Sequence, residues 1–420
     1  MRHRFSNKTV VLTLFALLVF SPALVDSSAH AQTVVATVPV GSLPYALTYD
    51  SAKGEVFVAN SGSAFVSVIS DVTDKVVANV SAGVAANSIV YDSAKGEVFV
   101  DSLPETVYVI SDATNKVVST VAVGYTPYGM AYDSGKGEVF VGSDTSNTVS
   151  VISDATNKVV ATINLPAGAA PHDMAYDAAK GEIFVDDEGL NAVSVISDSS
   201  NLVVASVTVG SSPNGAVFDP AKGEVFVANG ASEAASVISD ATNKVVATIN
   251  LGNSPNGAAY DPTDGQVIVA IPGSDAVSLI SDSTDKIVAN VSLTVGSTPS
   301  DVAYDSGKGE IFTANENDKT VSVISASSIS TSSTVSSSTT TPTSTTSSTT
   351  TSNSTSTSST TTSSTTSSTT TTTQTSTSSS GGGGVPEFPY QFAMAAVFTV
   401  LLAASYLLIR RRVAPTGRLG

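Results

Sequence analysis

The sequence predicts an all-β fold, a seven-bladed β-propeller of four-stranded antiparallel blades. One segment recurs seven times at intervals of 41 to 44 residues, and each copy contains an aromatic residue followed by Asp. A repeat of that length is typical of propellers that use one repeat per blade. The seven pairs are Tyr49-Asp50, Tyr91-Asp92, Tyr132-Asp133, Tyr176-Asp177, Phe218-Asp219, Tyr260-Asp261 and Tyr304-Asp305.

Each repeat encodes four strands. In the repeat that begins at Ser211, runs of β-branched residues alternate with Gly, Asn, Asp and Pro, which favour tight hairpins. We predict strands at 212–219, 224–228, 235–238 and 244–249. Lys-Gly-Glu follows the first strand in six repeats. We interpret its Gly as the positive-φ residue of a hairpin and its neighbours as solvated turn residues, because six copies of a catalytic group are not needed.

The two ends of the repeat region complement each other. The last repeat stops near Ser325 without a fourth strand, whereas residues 33–38 match the fourth strand at 158–163 almost letter for letter. We therefore predict that residues 33–38 complete the last blade and close the ring, which removes the exposed edges of an open array. The propeller is expected to span residues 32–326.

Outside the propeller the sequence predicts secretion and membrane anchoring. Residues 1–31 have the basic start, apolar core and Ala29-His30-Ala31 site of a signal peptide. A Ser/Thr-rich stalk with a Gly/Pro linker covers 327–389, and we expect it to be disordered. The uncharged segment 390–409 is long enough for a transmembrane helix, and the basic tail 410–420 places the propeller outside the cell. An uncleaved N-terminal anchor and a merely flexible linker remain alternatives.

Composition narrows the chemistry. The net charge is −17 and the pI is about 4.4, which argues against a nucleic-acid partner because phosphates require a positive field. The chain has no Cys, and His172 would be the one His left after signal removal. Zinc or copper catalysis is therefore poorly supported. N-glycosylation sequons occur at Asn79, Asn290 and Asn353.

Short phrases inside the repeats resemble a known family. Phe57-Val58-Ala59-Asn60, Phe226-Val227-Ala228-Asn229 and Phe312-Thr313-Ala314-Asn315 are similar to the repeats of YVTN-type propellers of archaeal and bacterial surface-layer proteins. Phe replaces the leading Tyr of that family, and other residues replace the Asn in four repeats. These are Ser102, Ser143, Asp187 and Ile271. Residues 385–389, Val-Pro-Glu-Phe-Pro, look like the C-terminal anchoring signals of archaeal exported proteins. The resemblance implies a cell-surface glycoprotein.

Alignment of the repeats places one residue per blade near the channel mouth, at the start of each innermost strand. Aromatic rings and amides around such an opening suit a sugar or a peptide. The seven residues are Tyr45, Asn87, Tyr128, His172, Asn214, Asn256 and Ser300. They lie on the face that carries the irregular loops, and loop divergence marks that face as free to bind a ligand, although unconstrained drift explains it equally well.

One carboxylate run is a candidate metal site. Asp186, Asp187 and Glu188 follow one another beside His172 and Asp173 and offer oxygen ligands to Ca²⁺, without the alternate spacing of a dedicated calcium loop. No cofactor other than calcium is expected.

Two classes of function remain open. The first is a non-catalytic surface propeller that acts in surface-layer structure, adhesion or binding of an extracellular glycan or protein, with other surface-layer subunits as further partners. The second is a metal-dependent extracellular enzyme of the lactonase or lyase type.

Overall fold

A computed structural model describes residues 31–327 of the chain. They form seven four-stranded antiparallel sheets. In six sheets the strands lie in chain order from the innermost to the outermost, and in the seventh the outermost strand is the first strand of the chain. Blade 1 contains β2 (Pro44–Asp50), β3 (Glu55–Asn60), β4 (Val66–Ser70) and β5 (Lys75–Val80). Blade 2 contains β6 (Ile89–Asp92), β7 (Glu97–Ser102), β8 (Thr106–Ser111) and β9 (Lys116–Ala122). Blade 3 contains β10 (Pro127–Asp133), β11 (Glu138–Ser143), β12 (Thr148–Ser153) and β13 (Lys158–Asn164).

The remaining blades repeat this order. Blade 4 contains β14 (Pro171–Asp177), β15 (Glu182–Asp187), β16 (Ala192–Ser197) and β17 (Leu202–Thr208). Blade 5 contains β18 (Pro213–Asp219), β19 (Glu224–Asn229), β20 (Ala234–Ser239) and β21 (Lys244–Asn250). Blade 6 contains β22 (Ala258–Asp261), β23 (Gln266–Ile271), β24 (Ala276–Ser281) and β25 (Lys286–Ser292). Blade 7 contains β26 (Pro299–Asp305), β27 (Glu310–Asn315), β28 (Thr320–Ser327) and β1 (Ala31–Pro39). Single 3₁₀ turns follow β15 and β23, at Glu188–Leu190 and Pro272–Ser274.

The first strands of neighbouring blades contact one another around a closed ring, which confirms the predicted seven-bladed propeller. Its core lies between the blades. The second strand is buried almost throughout, because both of its faces pack on neighbouring sheets, whereas the fourth strand alternates exposed and half-buried residues. Six second strands place a Phe at the same fully buried position, and blade 6 has Ile268 there. The six are Phe57, Phe99, Phe140, Phe184, Phe226 and Phe312.

The ring closes as predicted. β1 pairs antiparallel with β28, with Val34 opposite Ile324 and Val38 opposite Val321, and a bulge interrupts the register between Val34 and Ala36. The closing strand is longer than the predicted 33–38, and β28 extends one residue past the predicted boundary at 326. Two strands stay paired for as long as both backbones remain extended. The residue pattern alone does not show where that pairing ends.

The Lys-Gly-Glu turns confirm one prediction and correct another. The Gly of each turn, and Gly265 in blade 6, has a φ between +60° and +71°, as the hairpin requires. The Lys, however, is not simply solvated. In five blades its Nζ donates to a backbone carbonyl of the next blade. The pairs are Lys53 to Asp112, Lys95 to Asp154, Lys136 to Asp198, Lys180 to Asp240 and Lys308 to Asp71.

The aromatic-Asp pairs also connect neighbouring blades. Asp50 Oδ1 accepts the backbone N–H groups of Ala52 and Lys53 at 2.9 and 3.2 Å, which fixes the turn after the first strand. Tyr91 of the next blade lies between Asp50 and Asp112, and burial together with these two carboxylates raises the pKa of its hydroxyl. The repeated pair is therefore a structural joint between blades.

Several predictions concern residues outside 31–327. The signal peptide up to His30, the stalk beyond Ser327, the span at 390–409, the basic tail and the sequon at Asn353 lie outside the described residues. Within 31–327, none of the helices is both long and apolar enough to cross a membrane.

Candidate functional site

All seven predicted channel-mouth residues line one cavity of about 70 Å³. All seven are positioned by the same backbone conformation, which the sequence did not indicate. In every blade the residue two positions earlier has a positive φ, between 47° and 59°, although none of the seven is Gly. The seven are Leu43, Ala85, Thr126, Ala170, Ser212, Ser254 and Thr298. This conformation is uncommon for such residues and turns the chain sharply into the innermost strand.

Three aromatic side chains from three blades meet at the mouth. Tyr45 and Tyr128 are in edge-to-face contact at a centroid distance of 5.9 Å, and the Tyr128 hydroxyl donates to that of Tyr45. His172 stacks on Tyr128 at 4.0 Å with 30° between the ring planes. Burial raises the pKa of both tyrosines, so both hydroxyls are protonated at neutral pH. The three rings form an aromatic wall across the opening, hereafter the aromatic wall.

His172 is neutral at pH 7. Burial lowers the pKa of its imidazole to about 4, because the ring is covered by Tyr128 and by the channel wall. Its Nε2 lies 3.6 Å from Glu188 Oε2, which is too long for a hydrogen bond. The contact therefore joins a neutral ring to a carboxylate.

The polar channel-mouth residues differ in whether their hydrogen-bonding groups are already paired with the backbone. With its amide oriented to satisfy two carbonyls, Asn214 donates to Ala228 O at 3.1 Å and to Pro255 O at 3.0 Å. Ser300 is buried, and its hydroxyl donates to Tyr45 O at 2.8 Å. Ser300 thus joins blade 7 to blade 1, whereas half-buried Asn87 and Asn256 face the cavity.

Two carboxylates also line the cavity. Asp173 and Asp301 follow the ring residue in blades 4 and 7, where the other blades have Ala, Ser or Gly. Each accepts a backbone N–H of the next blade: Asp173 Oδ2 from Ala216 at 2.9 Å and Asp301 Oδ2 from Leu47 at 3.0 Å. Burial raises the pKa of Asp173 to about 6 and of Asp301 to about 7. The sequence analysis placed Asp173 beside His172 but did not identify Asp301. An acidic residue at a repeat position that is Ala, Ser or Gly in five blades could have indicated it.

Two further carboxylates lie behind the cavity wall. Asp101 and Asp186 occupy a position of the second strand that is Ala or Gly elsewhere, and both are fully buried. Asp101 Oδ1 accepts the N–H groups of Asn87 and Ser88 at 2.7 and 2.8 Å, and burial raises its pKa to about 8. Asp186 lies beside Asp173, and within residues 31–327 its oxygens make no hydrogen bond of standard geometry, although the Gly215 N–H interacts with the carboxylate. Burial raises its pKa well above the ordinary value.

The structure does not gather Asp186, Asp187 and Glu188 into a ligand set for calcium. Asp186 and Asp187 end β15 and, as consecutive strand residues, point to opposite faces. Asp187 accepts the Ser194 hydroxyl at 2.6 Å inside the sheet, while half-exposed Glu188 faces His172. Across 31–327, no three His, Cys, Asp or Glu side chains are arranged to hold a metal ion.

Polar residues end two of the second strands on this face. Asp101 and Ser102 are the last residues of β7 and are buried, as are Asp186 and Asp187 in β15. The alternation of apolar and polar residues does not show where these strands end, because buried strands of a propeller also contain polar residues.

Two sequons lie within the described residues. Asn79 and Asn290 are exposed at equivalent positions of the outermost strands of blades 1 and 6. Their Oδ1 atoms accept the hydroxyls of Ser67 at 3.1 Å and Ser278 at 2.7 Å. The side-chain nitrogens of Asn79 and Asn290 therefore point away from the two Ser hydroxyls.

Comparisons with known proteins support the fold. The solved structure of hydrazine synthase from Kuenenia stuttgartiensis is similar to this chain with a TM-score of 0.62 and 18% identity, over 68% of this chain and 96% of that chain. No family model and no curated protein sequence matches the chain. At that identity the likeness supports the propeller fold and carries no statement about activity.

Proposed function

We propose that the protein is a non-catalytic recognition module of the cell surface, in which a propeller on a Ser/Thr-rich stalk binds an extracellular ligand at its channel mouth. The proposal rests on the convergence of Tyr45, Tyr128 and His172 with the amides of Asn87 and Asn256 on one cavity. Concave sites that combine aromatic surface with a few directed polar groups are typical of ligand binding.

The surface location is the part of the proposal that the sequence supports. The sequence has the features expected of an exported, single-pass membrane protein. These are the signal peptide at 1–31, the stalk at 327–389 and the uncharged segment at 390–409. The similarity to YVTN-type surface-layer propellers points the same way, and surface-layer subunits are candidate partners. Protease treatment of intact cells tests this: we expect the propeller to be released, whereas protection until the cells are lysed contradicts surface display.

The binding role is tested with the full chain on arrays of glycans and peptides. We expect Tyr128→Leu to weaken binding by about tenfold or more, because it removes the centre of the aromatic wall and its hydroxyl contact. Tyr125→Leu is the matched control, since Tyr125 lies in the loop that leads into the same strand but is 53% exposed. Equal binding by the two variants would place the ligand elsewhere.

A further inference from the structure

The two faces of the propeller differ in how their acidic residues are balanced by Lys within residues 31–327. We call the face formed by the loops after the second strands and before the first strands the mouth face. Residues 31–327 contain 12 Lys and no Arg, and 11 of those Lys lie at the hairpin turns of the opposite face. Lys319 is the exception. The mouth face nevertheless carries many acidic residues: Asp101, Glu105, Asp144, Asp173, Asp186, Asp187, Glu188, Glu233, Asp275, Asp301, Glu316 and Asp318.

Two of these acidic residues line the cavity. Asp173 and Asp301 line it, and each carboxylate oxygen that accepts one N–H retains a second lone pair. Asp186 lies behind Asp173 and is fully buried, and among the described residues it makes no hydrogen bond of standard geometry, although the Gly215 N–H interacts with it. A buried carboxylate with few hydrogen bonds is costly, so this cluster is stabilised by a positive charge or a proton.

The described residues provide no such charge at the cavity. His172 is neutral at pH 7, and no Lys lines the opening. The aromatic wall, in contrast, suits a cation, because the face of a Tyr ring attracts positive charge. No three carboxylates are arranged as metal ligands within residues 31–327, which favours an organic cation that donates hydrogen bonds.

From these contacts we infer that the channel mouth recognises a protonated primary amine on its ligand. The partners assigned to the ammonium group are the carboxylates of Asp173 and Asp301 and the rings of Tyr45 and Tyr128, all of which line this cavity. A cavity of about 70 Å³ has room for a head group such as ammonium, since about 10 to 15 Å³ of such volume is enough for one water. The inference rests on the proposed binding role of the mouth and names the group that is bound there.

The test is calorimetric titration of the full chain at pH 7 with matched cationic and neutral probes. The alkyl pair is n-butylamine and n-butanol, and the sugar pair is glucosamine and glucose, so the two pairs separate an alkyl from a sugar source of the amine. We expect the amine of at least one pair to bind about tenfold more tightly than its neutral partner. Equal affinities within both pairs would overturn the inference.

Variants locate the effect. Asp173→Asn with Asp301→Asn keeps the shape of both side chains and is expected to abolish the preference for the amine. Asp318→Asn removes one exposed charge from the same face and is expected to preserve it. An equal loss in both variants would indicate general surface charge and contradict the inference. If the double variant does not fold, Asp301→Asn alone is used, with a predicted loss of at least about threefold.

The two proposals can fail separately. If array ligands bind and Tyr128→Leu abolishes that binding, but amines are not preferred, the ammonium assignment is wrong and the recognition role stands. If neither array ligands nor amines depend on the mouth residues, both proposals are wrong.

Discussion

Asp101 replaces the small residue that other blades have at the same position of the second strand, and its carboxylate holds two backbone N–H groups at the start of β6. β6 is short, beginning at Ile89, so those N–H groups lie outside the strand ladder. One acidic side chain thus substitutes for missing backbone pairing. Its burial has a consequence for stability that depends on pH.

We predict that Asp101→Asn raises the free energy of unfolding at pH 9 by up to roughly 5 kcal/mol and changes it little at pH 4. The Asp101 pKa rises from 3.8 to about 8 on folding, so its contribution is fully present below about pH 4 and is lost as the pH rises through 8. The Asn oxygen can still accept both N–H groups. Denaturant titration at the two pH values measures the difference, and a variant less stable than the native chain at pH 9 would contradict it.

Among the strands, β1 has the most direct consequence for the ring. It supplies the fourth strand of blade 7, and Val38 packs in the cluster that contains Leu47, Phe312 and Val321 from blades 1 and 7. Deleting its two methyl groups leaves a void between blades that neighbouring side chains cannot fill without moving.

We predict that Val38→Ala lowers the free energy of unfolding by roughly 2 kcal/mol. Val35→Ala in the same strand is the control, with an effect below about 0.5 kcal/mol, because Val35 is 53% exposed and Val38 is 2% exposed. Chemical denaturation of both variants decides the matter. A larger effect at Val35 would show that β1 does not dock in the observed register.

The Lys contacts between blades predict a smaller effect. Lys136 donates to Asp198 O and lies 3.4 Å from its carboxylate, with 37% of its side chain exposed. Lys136→Met is expected to cost up to about 1 kcal/mol at low salt and less at high salt, since such pairs are screened. Exposed Lys158 provides the control variant Lys158→Met. Equal costs at both salt concentrations would argue against an ionic contribution.

Sequence patterns predicted the elements well but not the site in full. The number of blades followed from the repeat length and the turn residues. The closure of the ring followed from the match of residues 33–38 to a fourth strand. Residue type did not indicate the positive φ at Leu43 or Thr126, because neither side chain favours that conformation. Ring residues were found by alignment of repeats, whereas the role of Asp301 required knowing that its carboxylate meets Leu47 of another blade, 254 residues away in the chain.

Across the propeller, buried carboxylates make stability depend on pH. The pKa values rise to about 6 for Asp173 and Asp187, about 7 for Asp301 and about 8 for Asp101. Raised pKa values give stability that is present below about pH 4 and is lost as the pH rises to 8. His172 acts in the opposite direction, because its lowered pKa gives stability that is lost as the pH falls from about 6.5 to 4.

Because four carboxylates oppose one imidazole, we expect the melting temperature to be higher at pH 5 than at pH 8. Differential scanning calorimetry across this range measures it. The same scan with the Asp173→Asn and Asp301→Asn double variant is expected to show a smaller difference. A native chain that is most stable at pH 8 would contradict the assignment of buried, proton-binding carboxylates at the channel.

The His172 imidazole NMR signal offers a decisive test of the channel mouth as a binding site, since His172 stacks on Tyr128 at the cavity and is the one His in residues 31–327. We would follow this signal in the full chain at pH 7 while titrating the tighter-binding amine and its neutral partner. The account predicts a saturable shift with the amine that Tyr128→Leu abolishes and Tyr125→Leu retains. A signal that stays unchanged while calorimetry reports binding would place the ligand away from the mouth and contradict the account.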